Sequence, residues 1–162
     1  MSSTAPRERL YDVFTGTEGS VEDKINHALE IGTSYFELPI GFVTRISEGR
    51  QAVVCATGDH HLIQPGESCP LEDAYCRQTI EIDGVLAVHD VQESAIPQDA
   101  IDTFDLGTYI GTKIVVNGQL FGTVCFADEE HRDRSFSTNQ ELFLELLANL
   151  ISNALERQEY EQ

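Results

Sequence analysis

The sequence predicts an α+β domain organised on an antiparallel sheet, and three observations carry that prediction. The first is YIGTKIVVNGQLFGTVCFADEE, Tyr109 to Glu130. Its Asn117-Gly118 pair supplies the two positive-φ positions of a type I′ turn between β-branched and aromatic runs. The second is another strand pair, Ile40 to Ile46 and Gln51 to Ala56, joined at Glu48-Gly49. The third is a long apolar-striped helix after the last hairpin, beginning at S-T-N-Q-E from Ser137 and burying Phe143, Leu146, Leu147, Leu150, Ile151 and Ala154 at i, i+3, i+4, i+7 spacing. Hairpins toward both ends exclude a doubly wound parallel sheet.

Taken in order, Arg7 to Thr15 reads as a short amphipathic helix with Leu10, Val13 and Phe14 on one face. A helix from Ser20 to about Tyr35 follows. Ser20 is its cap with Asp23 three residues on, and Val21, Ile25, Ala28 and Leu29 form the buried stripe. After the first hairpin, Thr57 to Ser68 holds His60, His61, Pro65 and two glycines and reads as a loop. Pro70 then opens a helix to about Ile80, with Leu71, Ala74, Tyr75 and Gln78 at helical spacing. Val85 to Val88 is a short buried strand ended by His89-Asp90, and Pro97 to Phe104 is a helix. In the 109–130 hairpin a two-residue loop predicts Val116 opposite Gln119, Ile114 opposite Phe121, Lys113 opposite Gly122 and Thr112 opposite Thr123. Both faces of that ribbon are apolar, so it belongs in the middle of a sheet covered on both sides.

Composition bounds what such a domain does. At 162 residues the chain, 1–162, is expected to be one domain, with 7–35 as N-terminal helices, 40–128 as sheet and pocket segments and 137–160 as the C-terminal helix. Its formal charge of −18, from 28 acidic and 10 basic residues, repels phosphate backbones and anionic membranes, so no nucleic-acid or membrane partner is expected. The acids are spread along the chain and lysine is confined to Lys24 and Lys113, a composition that predicts a halophilic source. No apolar run reaches the roughly 20 residues of a membrane span, MSSTAPRERL lacks the apolar core of a signal peptide, and a cytoplasmic location is expected. Cys55, Cys69, Cys76 and Cys125 are then reduced, each in or beside an apolar segment where a free thiol behaves as a small hydrophobe.

The chemistry-bearing motifs are absent. There is no G-x-S-x-G elbow, no phosphate-binding G-x-x-x-x-G-K-[ST], no H-E-x-x-H and no G-x-G-x-x-G opening a helix. His60, His61, Cys69 and Cys76 share a segment but match no metal-clip spacing. The chain is therefore expected to be non-catalytic, with no metal and no cofactor.

The element order, together with GTKIVVNGQLFGTVCFADEEHRDRSFS and LFLELLANLISNALERQ, resembles the GAF domain family of signalling modules over nearly the whole chain. The PLEDAYCR segment (Pro70 to Arg77) and the G-T-x-C-F strand (Gly122 to Phe126) look like those of GAF sensors in prokaryotic histidine kinases and related regulators, and the acidic context is similar to a haloarchaeal branch. The resemblance implies a sheet of five to six strands, with terminal helices on one face and short helices and loops closing a pocket on the other. It also implies a pocket lining drawn from Tyr75, Cys76, His89, Asp90, Tyr109, Thr112, Lys113, Thr123 and Cys125. Of the two predicted cross-strand pairs, Thr112/Thr123 and Lys113/Gly122, only one can face that pocket.

Other functions known in the family fit less well. Lys113, Phe126 and Asp128-Glu129 are similar to a cyclic-nucleotide signature, but Thr112 stands where asparagine is needed and the acidic pair is too close to Phe126. Arg77 follows Cys76 where bilin attachment usually has a histidine, and no cysteine motif of the methionine sulfoxide reductases is present. The expected function is small-molecule sensing in a signal-transduction protein. The expected partners are an unknown small-molecule ligand, a second copy bound through the terminal helices, and an output domain such as a histidine kinase. The alternatives are a ligand-free dimerisation scaffold and a thiol-based redox or metal sensor.

Overall fold

The structure is a computed structural model that describes residues 5–16 and 19–160. Two helices, α1 (Pro6–Thr15) and α2 (Val21–Phe36), precede the hairpin of β1 (Ile40–Ser47) and β2 (Arg50–Thr57). A short strand β3 (Ser68–Pro70), helix α3 (Cys76–Thr79), strand β4 (Val85–Val88) and helix α4 (Gln98–Phe104) lead into the second hairpin, β5 (Thr108–Val116) and β6 (Gln119–Asp128). Helix α5 (Thr138–Tyr160) closes the chain. The six strands form one antiparallel sheet in the order β3-β2-β1-β6-β5-β4, so β5 and β6 are interior strands, as their two apolar faces require.

Local chemistry explains the element ends. Ser20 Oγ accepts from Asp23 N at 3.1 Å and Asp23 Oδ2 accepts from Ser20 N at 3.1 Å, a reciprocal capping box that starts α2. Ser137 and Gln140 do the same for α5 (3.1 and 2.8 Å). Asn117 and Gly118 have φ of 53° and 79°, the positive pair that the tight turn demands.

Two segments depart from expectation. Ser68–Pro70 is not loop but an edge strand on β2, and its pairing with residues 50–52 takes Pro70 out of any helix. The predicted helix from Pro70 to Ile80 is accordingly broken. A 3-10 turn at Leu71–Asp73 ends at Ala74, whose extended backbone (φ −115°, ψ 153°) re-aims the chain before α3 begins, and Tyr75 and Cys76 then point into the interior.

The register of β5 and β6 also differs. Val116 pairs with Gln119 and Val115 with Leu120 as predicted, but Ile114 pairs with Gly122 because Phe121 is bulged out. Beyond the bulge every partner is displaced by one, so Lys113 faces Thr123, Thr112 faces Val124 and Gly111 faces Cys125. Because side chains alternate at every residue, this slip exchanges the faces of β6 relative to β5.

The sheet separates two cores. Under α1, α2 and α5 lie Leu10, Leu29, Phe36, Val43, Ile110, Ile114, Val124, Phe126, Phe143, Leu147 and Ile151. Helix α2 packs down so closely that a Cβ on Gly32 would stand 2.2 Å from the Phe126 ring. On the opposite side Phe42, Val53, Ile63, Tyr75, Cys76, Phe104, Tyr109 and Cys125 form a second core beneath α3, α4 and the loops.

Candidate functional site

The second core encloses a continuous polar cluster. Tyr109 Oη is hydrogen-bonded to Thr79 Oγ1 (2.7 Å) and to Cys125 Sγ (3.0 Å), with Cys76 Sγ at 3.8 Å. Cys76 Sγ lies 3.0 Å from Thr123 Oγ1 and 4.0 Å from Cys125 Sγ. Thr123 Oγ1 is in turn 2.7 Å from Thr44 Oγ1, which also accepts the Thr123 backbone N–H at 3.1 Å. All six residues are buried, so the hydrogen bonds among them replace those lost to water. The close approach depends on Gly111, where a Cβ would stand 2.5 Å from Tyr109 Oη and 3.0 Å from Cys125 Sγ.

Burial dominates the electrostatics. It holds the Tyr109 hydroxyl and the Cys125 thiol well above their ordinary values and pushes Tyr75 up to about 12, with Asp105 adding to the Tyr75 effect. Burial opposes ionisation of Cys76 as well, but hydrogen bonds from Cys125, Thr123, Tyr109 and Thr44 together bring it below the ordinary thiol value. Outside the cluster, burial pushes Cys55 up to about 11, and Cys69 is raised for the same reason. All four cysteines are free thiols.

Next to the cluster are small voids. One of about 10 Å³ is bounded by Phe42, Gln51, Ile63, Tyr75, Cys76, Phe104 and Leu106, and one of about 60 Å³ by Gln51, Val53, Leu62, Glu67, Ser68, Cys69, Thr103 and Phe104. Gln51 is 4% exposed and its Oε1 has no hydrogen-bond partner. The roof is tied down at the end of α4, where Tyr75 Oη donates to the Leu106 carbonyl (2.9 Å) and His60 Nε2 bonds the Phe104 carbonyl (2.7 Å). Because His60 Nδ1 accepts from Leu62 N at 3.1 Å, Nε2 carries the proton and donates.

Of the nine residues singled out in the sequence, the structure brings Tyr75, Cys76, Tyr109, Thr123 and Cys125 together. Thr112 lies on the opposite face with Ile110 and Ile114, and donates to the Gly84 carbonyl at 2.8 Å. Lys113 is on the same side as Tyr109 but reaches outward to Asp83 Oδ1 at 3.8 Å. The predicted pairs therefore resolve as neither alternative: Lys113 and Thr123 are the cross-strand pair on the cluster side. His89 contributes its carbonyl to Thr108 Oγ1 (3.1 Å) and to Arg132 N (2.8 Å). Asp90 caps the next turn through Gln92 N (3.1 Å) and borders a separate acidic cleft with Asp105, Glu129 and Glu130. Thr44, Thr79 and Gln51 were not anticipated. A polar residue inside an otherwise apolar strand is a signal for the first and third, but only the β1–β6 pairing shows what Thr44 meets.

Among the described residues no group of three or more His, Cys, Asp or Glu is placed to hold a metal, and no helix is long and apolar enough to cross a membrane. The fold is shared by solved proteins of low sequence identity. The phycocyanobilin-bound GAF domain from a cyanobacterial phytochrome superposes with a TM-score of 0.81 at 12% identity, over 99% of each chain. The GAF domain of an Acinetobacter phosphoenolpyruvate-protein phosphotransferase gives 0.77 at 11% identity, over 96% of this chain and 93% of that one. The free methionine-R-sulfoxide reductase of Neisseria meningitidis, in complex with its substrate, gives 0.75 at 15% identity, over 98% and 96%. No curated protein matches. The GAF domain family matches residues 20–155, and with that span and this sheet the chain belongs to the GAF domain family of sensory and regulatory modules.

Proposed function

We propose that this chain is a non-catalytic, small-molecule-sensing domain of a prokaryotic signal-transduction protein. The observation that carries the reading is the pair of small voids beside Gln51, between the sheet and the α3–α4 side, the larger of them bounded by the exposed Glu67, Ser68 and Thr103, in a fold whose solved relatives include a bilin-bound domain and a substrate-bound reductase. A ligand entering there displaces side chains of the second core, and β1, β5 and β6 have their opposite faces packed against α2 and α5. Binding one conformation better shifts the population of terminal-helix arrangements. The signal then passes through a dimer of terminal helices to an output module such as a histidine kinase. The cell compartment is the cytoplasm of a halophile, in which molar salt screens the charge of −18.

The test is thermal unfolding in molar KCl against nucleotides, cyclic nucleotides, amino acids, purines and metals. A ligand at 100 times its dissociation constant stabilises by about 2.7 kcal/mol, a shift of about 5 to 11 °C at about 2 to 4 °C per kcal/mol. A panel without a saturable shift leaves the scaffold reading in its place. The 4.0 Å approach of Cys76 and Cys125 favours a second reading, a peroxide-responsive thiol pair. In it, two thiols and one hydrogen peroxide give a disulfide and two waters. Mass analysis after peroxide treatment tests it, with a loss of two hydrogens expected in the native chain and none in Cys125→Ser.

A further inference from the structure

We propose that Gln51 is the recognition group of the interior site, and that its ligand is an uncharged, flat heterocycle donating an N–H to Gln51 Oε1. This rests on the ligand-sensing reading and specifies its chemistry. A buried carbonyl oxygen without a partner is destabilising, and such groups are rare in folded chains. Gln51 is 4% exposed on β2, and its side chain borders both voids. A ligand donor placed there satisfies it.

The surroundings restrict what that ligand is. Phe42, Tyr75 and Phe104 bound the inner void, and aromatic walls favour a flat ring. Among the described residues no lysine, arginine or histidine borders either void, while Glu67 borders the outer one, so a phosphate or carboxylate would enter unpaired. Lys113, on this side of the sheet, is turned out to Asp83, and Arg77 on α3 pairs with Glu81. The voids, about 10 and 60 Å³, have room for water but not for a ring. Phe104 bounds both, so the heterocycle binds by taking the place of its ring. That movement acts on the Phe104 carbonyl held by His60 and on the neighbouring Leu106 carbonyl held by Tyr75.

The experiment is calorimetric titration of the full chain with indole, benzimidazole and adenine, with N-methylindole and adenosine monophosphate as the donor-blocked and anionic counterparts. Saturable binding by at least one of the three heterocycles is expected, with none by N-methylindole or the nucleotide. Gln51→Leu is expected to weaken that binding roughly tenfold or more, the loss of about one buried hydrogen bond. Leucine is similar in size and removes an atom that bonds nothing in the chain, and the comparison of indole with N-methylindole needs no variant. Equal binding of indole and N-methylindole, undiminished binding in Gln51→Leu, or binding of the nucleotide alone overturns the proposal and leaves ligand sensing standing. Failure of these compounds alongside a positive amino-acid or metal hit in the wider panel overturns it in the same way. A wholly flat panel removes both.

Discussion

Replacing Tyr109 by phenylalanine deletes one hydroxyl from the middle of the buried cluster, and the structure allows the cost to be worked out. The hydroxyl has a strong partner in Thr79 (2.7 Å), a sulfur partner in Cys125 (3.0 Å) and a distant one in Cys76 (3.8 Å). Neither close partner is orphaned by its loss. Thr79 Oγ1 still donates to the Tyr75 carbonyl at 3.4 Å, and Cys125 Sγ keeps Thr123 Oγ1 at 3.3 Å. The loss is therefore one net buried hydrogen bond and a weaker sulfur contact, about 1 to 2 kcal/mol. In a domain of this size that lowers the melting temperature by about 2 to 8 °C. Calorimetry on Tyr109→Phe, Thr79→Val and the double variant gives the coupling directly. The double variant is expected to fall short of the summed single losses by about 1 kcal/mol, because the two residues share one bond. Strictly additive losses, or a Tyr109→Phe variant as stable as the native chain, would refute the cluster as described.

Three further outcomes follow from the geometry. Tyr75 is held up at about 12 against an ordinary 10, so its stabilising effect is complete below pH 10 and is lost as pH rises toward 12. That is about 2 to 3 kcal/mol at most, and Tyr75→Phe should flatten this part of a melting-temperature profile measured from pH 9 to 12. Ser20→Ala removes one half of the α2 capping box and should cost about 1 kcal/mol in urea unfolding, with the m-value unchanged. Gly118→Ala, at φ 79° with nothing near its Cβ, should lose about 1 to 2 kcal/mol and remain folded, whereas Gly122→Ala puts a Cβ 1.8 Å from the Thr44 carbonyl oxygen and should yield no soluble protein. Similar yields of the two glycine variants would contradict the β1–β6 packing.

What the sequence made legible was local. Ser20 with Asp23, Asn117 with Gly118, and the stripe from Phe143 to Ala154 each declare their structure within a few residues, and each is found where expected. Tyr75 and Cys76 were placed in the interior, although the helix expected to carry them is interrupted at Ala74. The interruption depends on Ser68–Pro70 pairing with β2, a contact some 18 residues away in sequence that no local pattern announces. Thr44 and Thr123 are 79 residues apart, so their bond could not be read before the strand order was known. Turn chemistry sets the hairpin register only as far as Leu120. The bulge at Phe121 depends on β1 lying against the other side of β6, where Gly122 meets Arg45 and the Phe121 ring lies under the Arg45 guanidinium at 5.8 Å.

That single extra residue in β6 works like a change of parity. Upstream of it the hairpin is an ordinary ribbon; downstream, Val124 and Phe126 go to the helices while Thr123 and Cys125 go to Tyr109 and Cys76. Deleting one residue at Phe121 would preserve the turn and the polarity of every strand, yet would send a valine and a phenylalanine, Val124 and Phe126, into a space fitted to hydroxyls and thiols. Length variation in this hairpin is thus confined to even steps if the chemistry of the interior is to survive, and a graft of the 109–128 segment into another sheet carries its inside and outside with it only when the bulge is taken too.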